Sequence, residues 1–133
     1  MELEQTKIYP FIKDYPETYS IRSFDTGDLI SISTVEEKTV WYLLKGIVEV
    51  AATSYNGRKI HVDFVYEDDF VGKISHGWGM HFYCDCIAYT PCVLAYMPRD
   101  TFYSMIEENK DFKIYFYERC VKKVYSKIGR AHV

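Results

Sequence analysis

The chain is predicted to be mainly β, a sandwich or barrel of short strands followed by helices at its C-terminal end. Three observations carry this. From about Tyr19 to Met97, β-prone runs are separated by turn signals at roughly the 8–12-residue spacing of such folds. Aromatic residues make up 17% of the chain, with 13 Tyr and 8 Phe, types that suit the half-buried surface of strands. Before Asp100 no apolar period of 3.6 is sustained, whereas after it one is. At 133 residues, 48% hydrophobic and 26% charged, there is material for one domain with a core, which excludes general disorder.

Residues 1–17, with Pro10, Pro16 and the apolar cluster Ile8 to Ile12, are expected as a short helix or loop packed on the body. Strands are expected over 28–34, 39–45 and 47–53. Tyr55-Asn56-Gly57-Arg58 signals a hairpin, because Asn-Gly accepts the positive φ angles of a type I′ turn. In the next strand Ile60, Val62, Phe64 and Tyr66 fall on one face; His61 and Asp63 fall on the other, which is expected to be exposed. Strands over 82–90 and 92–97 are separated by Pro91, which cannot donate to a ladder. Asp100 can cap one helix and Asp111 a second. In the second, Ile114, Tyr117, Val121, Val124 and Ile128 recur at alternating steps of three and four, an a/d seam spanning two heptads. Such a seam pairs with a second helix or packs on its own body.

Several functions are excluded or disfavoured. No apolar run approaches the ~20 residues that span a bilayer, and the acidic N-terminus has no apolar secretion signal, so a cytoplasmic location is expected. The net charge is −3, but residues 110–133 carry seven basic and two acidic side chains, an acidic body followed by a basic tail. Among His61, His76, His81 and His132 there is no His-x-His pair, and no nucleophile elbow or phosphate-binding loop occurs. The chain is therefore not expected to be an enzyme. A jelly-roll metalloenzyme is the third alternative. Cys84, Cys86, Cys92 and Cys120 are expected as structural thiols and no cofactor is expected; an iron–sulfur or other metal there is the lesser reading, since their spacing matches no common ligand pattern.

Six fragments then carry a resemblance. Phe24-Asp-Thr-Gly-Asp-Leu-Ile, Tyr42-Leu-Leu-Lys-Gly-Ile-Val-Glu-Val, Tyr55-Asn-Gly-Arg, Asp69-Phe-Val-Gly-Lys, Ala88-Tyr-Thr-Pro-Cys-Val-Leu and the Phe102 helix follow in order. Over about residues 19–127 the chain resembles the cyclic-nucleotide-binding effector domain of Crp/Fnr-family transcription regulators. The resemblance implies a jelly roll (double-stranded β-helix) of the cyclic-nucleotide-binding type with flanking helices. It implies turn glycines at Gly27, Gly46 and Gly57, and a C-terminal dimerisation helix carrying Ile114, Tyr117, Val121 and Val124. It also implies an effector pocket at Gly72, Lys73, Ile74, Ser75, Phe82, Tyr83 and Cys84.

At that pocket the chain departs from the family. Nucleotide binders place Glu after the glycine, where this chain has Lys73; their phosphate-binding Arg falls by register at Phe82, and no Arg occurs between Arg58 and Arg99. Without a bidentate guanidinium, cyclic AMP is not the expected effector. Phe82, Tyr83 and Trp78 fill the pocket themselves, shape it for an apolar or aromatic ligand, or are ordinary core and loop residues.

The expected organisation is a helix or loop over 1–17, the jelly roll over 18–109 and the dimerisation helix over 110–127. Residues 128–133, Ile-Gly-Arg-Ala-His-Val, match one translated frame of a widely used sequencing adapter and are expected to be non-native. The expected function is effector sensing in a homodimeric regulator whose helix-turn-helix lies outside this chain. A stand-alone module of the same type, acting through protein contacts, is the alternative.

Overall fold

The computed structural model describes residues 1–31, 38–53, 56–72 and 84–131. Among them are strands β1 (Ser20–Phe24), β2 (Leu29–Ser31), β3 (Thr39–Lys45), β4 (Val48–Thr53), β5 (Lys59–Val65), β6 (Asp69–Val71), β7 (Cys84–Ala88) and β8 (Cys92–Pro98). They pair antiparallel in two four-stranded sheets, ordered β1-β8-β3-β6 and β2-β7-β4-β5. That order is a jelly roll. Every connection except the β4–β5 hairpin carries the chain from one sheet to the other.

The two inner faces form one core. Phe24, Trp41, Leu43, Val71 and Leu94 come from the first sheet, and Ile30, Val48, Val50, Val65, Cys84, Cys86 and Ala88 from the second. β3 is buried on both faces, because its outward Val40 and Tyr42 meet Ile8 and Ile12. The helix bearing Ile12, α1 (Tyr9–Ile12), has only four residues and would not persist alone. Burying Ile8 and Ile12 contributes about 1.5–3 kcal/mol each, which holds it in place. Asp68 fastens the same region: its carboxylate accepts the Lys7 N–H at 2.9 Å and the Tyr42 hydroxyl at 2.5 Å.

Two expectations are corrected in the β4–β5 hairpin. The last pair is Thr53 with Lys59, so the loop is longer than two residues. Gly57 has the expected positive φ, +83, but within this longer loop and not in a two-residue type I′ turn. In the longer loop Asn56 instead accepts the Arg58 N–H with its own side chain, at 3.4 Å. The apolar alternation is also broken: Phe64 is opposite Glu49 on the outer face, whereas Ile60 is opposite Ala52, which packs against the core. Ile60 and Tyr66 are exposed and Phe64 is half-buried, whereas Val65 is in the core. A bulge between Val50 and Ala51 shifts the register, and one step exchanges the two faces of a strand. Phe64 packs outside against Tyr89, ring centroids 5.0 Å apart.

The chain divides into two compact units, Met1–Arg99 and Asp100–Val133. The second holds helices α2 (Arg99–Glu108, which starts one residue earlier) and α3 (Lys110–Ala131). Neither is capped by the expected aspartate. Asp100 and Asp111 lie in the first turns, where their charge still opposes the positive end of the helix dipole. The cap of α3 is Asn109, whose Oδ1 accepts the Phe112 N–H at 3.1 Å, while its own N–H closes α2 on Met105 O at 3.0 Å. One residue thus ends one helix and begins the next.

Gly46 is the tightest position described. A Cβ there would collide with the Pro91 carbonyl oxygen and lie 2.8 Å from Cys92 Sγ, and its φ is +97. Gly27 has φ +89 with nothing within 4 Å of a Cβ. Urea unfolding is therefore expected to show Gly46→Ala destabilised by about 3 kcal/mol or more, from strain plus overpacking. Gly27→Ala, with conformational strain alone, is expected to lose only about 1 kcal/mol. Equal losses would contradict the close approach at Gly46.

Candidate functional site

The residues expected to border an effector pocket run from the end of β6 to the start of β7. Gly72 follows β6 directly, with φ +100 and room for a Cβ at 3.8 Å from Ser31 Oγ. Cys84 opens β7, buried and facing inward beside Ala52, its partner on β4. Gly72 and Cys84 thus flank residues 73–83 in the chain. Lys73, Ile74, Ser75, Trp78, Phe82 and Tyr83 lie outside the described residues.

The interior behind Gly72 is apolar. The only buried polar residues among those described are Thr6 and Ser31, and Thr6 donates its hydroxyl to Leu3 O at 2.7 Å. Trp41 is held between Phe24 and Tyr96, with ring centroids 5.5 and 5.0 Å away. The guanidinium of Arg22 stands over the Phe24 ring at 4.7 Å, and this residue is exposed. Sequence reasoning singled out neither Trp41 nor Ser31, which read simply as strand residues.

No group of three or more His, Cys, Asp or Glu positioned to hold a metal occurs among the described residues. All four cysteines are buried and none is in a disulfide, and Cys84, Cys86 and Cys92 belong to the jelly-roll core. Burial pushes the Cys92 thiol above its ordinary pKa. It donates to Thr90 O and Ile47 O at 3.1 and 3.3 Å.

The second candidate feature is α3. Phe112, Phe116 and Cys120, at steps of four, are buried; Phe102 meets the two phenylalanines edge-on at 5.4 and 5.2 Å. This stripe was missed, although its i, i+4 spacing is visible in the sequence. The seam residues Ile114, Tyr117 and Val121 are 45%, 48% and 42% exposed and line one shallow groove with Glu118. The side chain of Val124 lies outside the described residues. No helix of the described residues is long and apolar enough to cross a membrane.

A family model for the cyclic nucleotide-binding domain matches residues 21–109. No curated protein matches the chain. Among solved structures, a transcriptional regulator from Thermotoga maritima superposes with TM-score 0.73 at 15% identity, over 98% of this chain and 95% of that one. The sensor domain of the transcriptional regulator DNR from Pseudomonas aeruginosa gives 0.70 at 11%, over 96% and 85%. The regulatory subunit of a cAMP-independent protein kinase A from Trypanosoma brucei gives 0.66 at 20%, over 94% of this chain and 49% of that one. At these identities the likeness is one of fold.

The burial of the thiols generates a prediction. In the native chain none of Cys84, Cys86, Cys92 and Cys120 is expected to react with a chromogenic disulfide reagent at pH 8 as fast as free cysteine. One fast equivalent would contradict their burial. Because its folded pKa is raised, Cys92 contributes stability below the pKa of an unfolded thiol. That contribution is lost as pH rises through the raised value.

Proposed function

The chain belongs to the cyclic nucleotide-binding domain family, and from that premise we propose that it is the effector-sensing part of a Crp/Fnr-like transcription regulator that does not respond to cyclic AMP. The observation that carries this reading is the stripe Ile114, Tyr117 and Val121 on α3. A fully folded second unit leaves these apolar side chains nearly half exposed at coiled-coil spacing. A second copy of the same helix is the natural cover, which makes α3 a dimer seam and the chain a homodimer. An effector bordered by Gly72, Lys73, Ile74, Ser75, Phe82, Tyr83 and Cys84 then biases how the two helices meet. DNA is contacted through a helix-turn-helix that lies outside this chain. Coupling of this kind needs an effector that binds the two arrangements unequally.

Cyclic AMP is disfavoured on charge. A cyclic phosphate bound inside an apolar jelly roll needs a guanidinium, and no Arg occurs between Arg58 and Arg99. Lys73 supplies at most a point charge. The same fold in a protein kinase A regulatory subunit favours a second reading, a module that acts through protein contacts instead of DNA.

Two measurements test the first reading. Calorimetric titration with cyclic AMP is expected to show no binding at micromolar concentration; a micromolar Kd would overturn the argument from the missing Arg. In sedimentation the chain is expected to run as a dimer and Val121→Glu as a folded monomer, because two buried carboxylates facing each other across a seam strongly oppose pairing. A monomeric unvaried chain would remove the dimer seam.

A further inference from the structure

The apolar stripe on α3 is flanked by two side chains of opposite charge, and their positions restrict how a second helix can lie on it. With Ile114 and Val121 at a and Tyr117 at d, Lys113 takes a g position and Glu118 an e position. Glu118 is exposed and lines the groove together with Ile114, Tyr117 and Val121. Lys113 reaches α2, where its ammonium lies 3.3 Å from both carboxylate oxygens of Glu107. That bridge joins side chains 39% and 68% exposed, so it holds the ammonium only weakly. An ammonium has three N–H donors and can serve a second carboxylate as well.

Direction follows from the order of the charges. In a parallel pair each g residue meets the partner's e residue five positions further on. Lys113 then meets the partner's Glu118 on one side of the stripe, and Glu118 meets the partner's Lys113 on the other. In an antiparallel pair g rows face g rows and e rows face e rows. The g row reads Lys113, Cys120 and Lys127, and the e row Asp111, Glu118 and Tyr125, so opposite charges nowhere meet. β-branched residues at a, here Ile114 and Val121, also suit a two-stranded parallel seam.

We infer that α3 selects its partner through Lys113 and Glu118. It pairs with a second copy of itself, parallel and in register, each Lys113 ammonium binding the partner's Glu118 carboxylate. This rests on the dimer seam of the preceding reading and adds which helix is accepted and in what direction. A helix of the same apolar spacing with Glu at the g position, or Lys at the e position, is refused by like charge.

The test uses the whole chain in sedimentation equilibrium. Lys113→Glu and Glu118→Lys are each expected to weaken the dimer about tenfold, because each sets two like-charged pairs across the seam in place of two opposite ones. A chain carrying both reversals is expected to recover to within about threefold of the unvaried dimer. Mixed in equal amounts, the two single variants are expected to form a heterodimer in preference to either homodimer, a result that damaged folding could not produce. Ile114→Cys reads the direction. Only a parallel, in-register pair brings the two copies of this a position within the Cα separation of about 4.4–6.8 Å that a disulfide needs. Mild oxidation is therefore expected to cross-link Ile114→Cys and not the unvaried chain, whose cysteines are buried.

A dimer indifferent to both charge reversals, single variants with no preference for each other, or an Ile114→Cys dimer that does not cross-link would overturn this inference and leave the seam in place. A monomeric unvaried chain would instead remove the seam, and with it the reading on which this one rests.

Discussion

The jelly roll depends on the contact between two turns. The β3–β4 and β7–β8 turns each carry the chain from one sheet to the other, and they touch at Gly46–Ile47 and Thr90–Cys92. The Ile47 N–H donates to Thr90 Oγ1 at 2.9 Å, the Tyr89 N–H donates to Ile47 O at 2.9 Å, and the backbone at Gly46 passes directly over Pro91. β3 pairs with β8 in one sheet and β4 with β7 in the other. The registers of both sheets are therefore set at this single crossing. A side chain at Gly46 would separate the turns and disturb both ladders together.

The two sheets are then treated differently on their outer faces. The first is covered by Ile8 and Ile12, which is why β3 reads as a nearly continuous apolar run. The second leaves Leu29, Tyr66 and Tyr89 exposed, with Phe64 and Tyr89 shielding each other at one end. The interior between the sheets is almost wholly apolar. Among the described residues Ser31 Oγ and Trp41 Nε1 depart from that rule, buried with no hydrogen-bond partner.

Much of this was legible in the sequence because turn chemistry and strand spacing are local. The breaks around Gly27, Gly46 and Pro91, the hairpin at Gly57 and the two-helix ending all follow from residues near each other in the chain. The errors arise where distant packing decides. Ile60 and Phe64 keep the spacing of one face but do not share it, because the bulge at Val50–Ala51, which no local rule announces, resets the register between them. Asp111 is a good cap, but Asn109 is better placed, since it also terminates the preceding helix. Phe112, Phe116 and Cys120 formed a second apolar stripe on a helix already explained by the first. For the pocket, sequence reasoning named Gly72 and Cys84 through resemblance. It could not find Ser31 and Trp41, because having no partner is a property of three-dimensional surroundings.

α3 runs without a proline from Lys110 through Lys127, the end of the expected dimerisation helix. At 1.5 Å per residue that stretch is about 27 Å long. Rods of that length amplify rotation: a tilt of about 10° at the first turn moves the far end by about 5 Å, close to one helical pitch. Movements too small to be noticed as a change of shape at Asn109 would thus be read at Lys127 as a full step along whatever surface the far end engages.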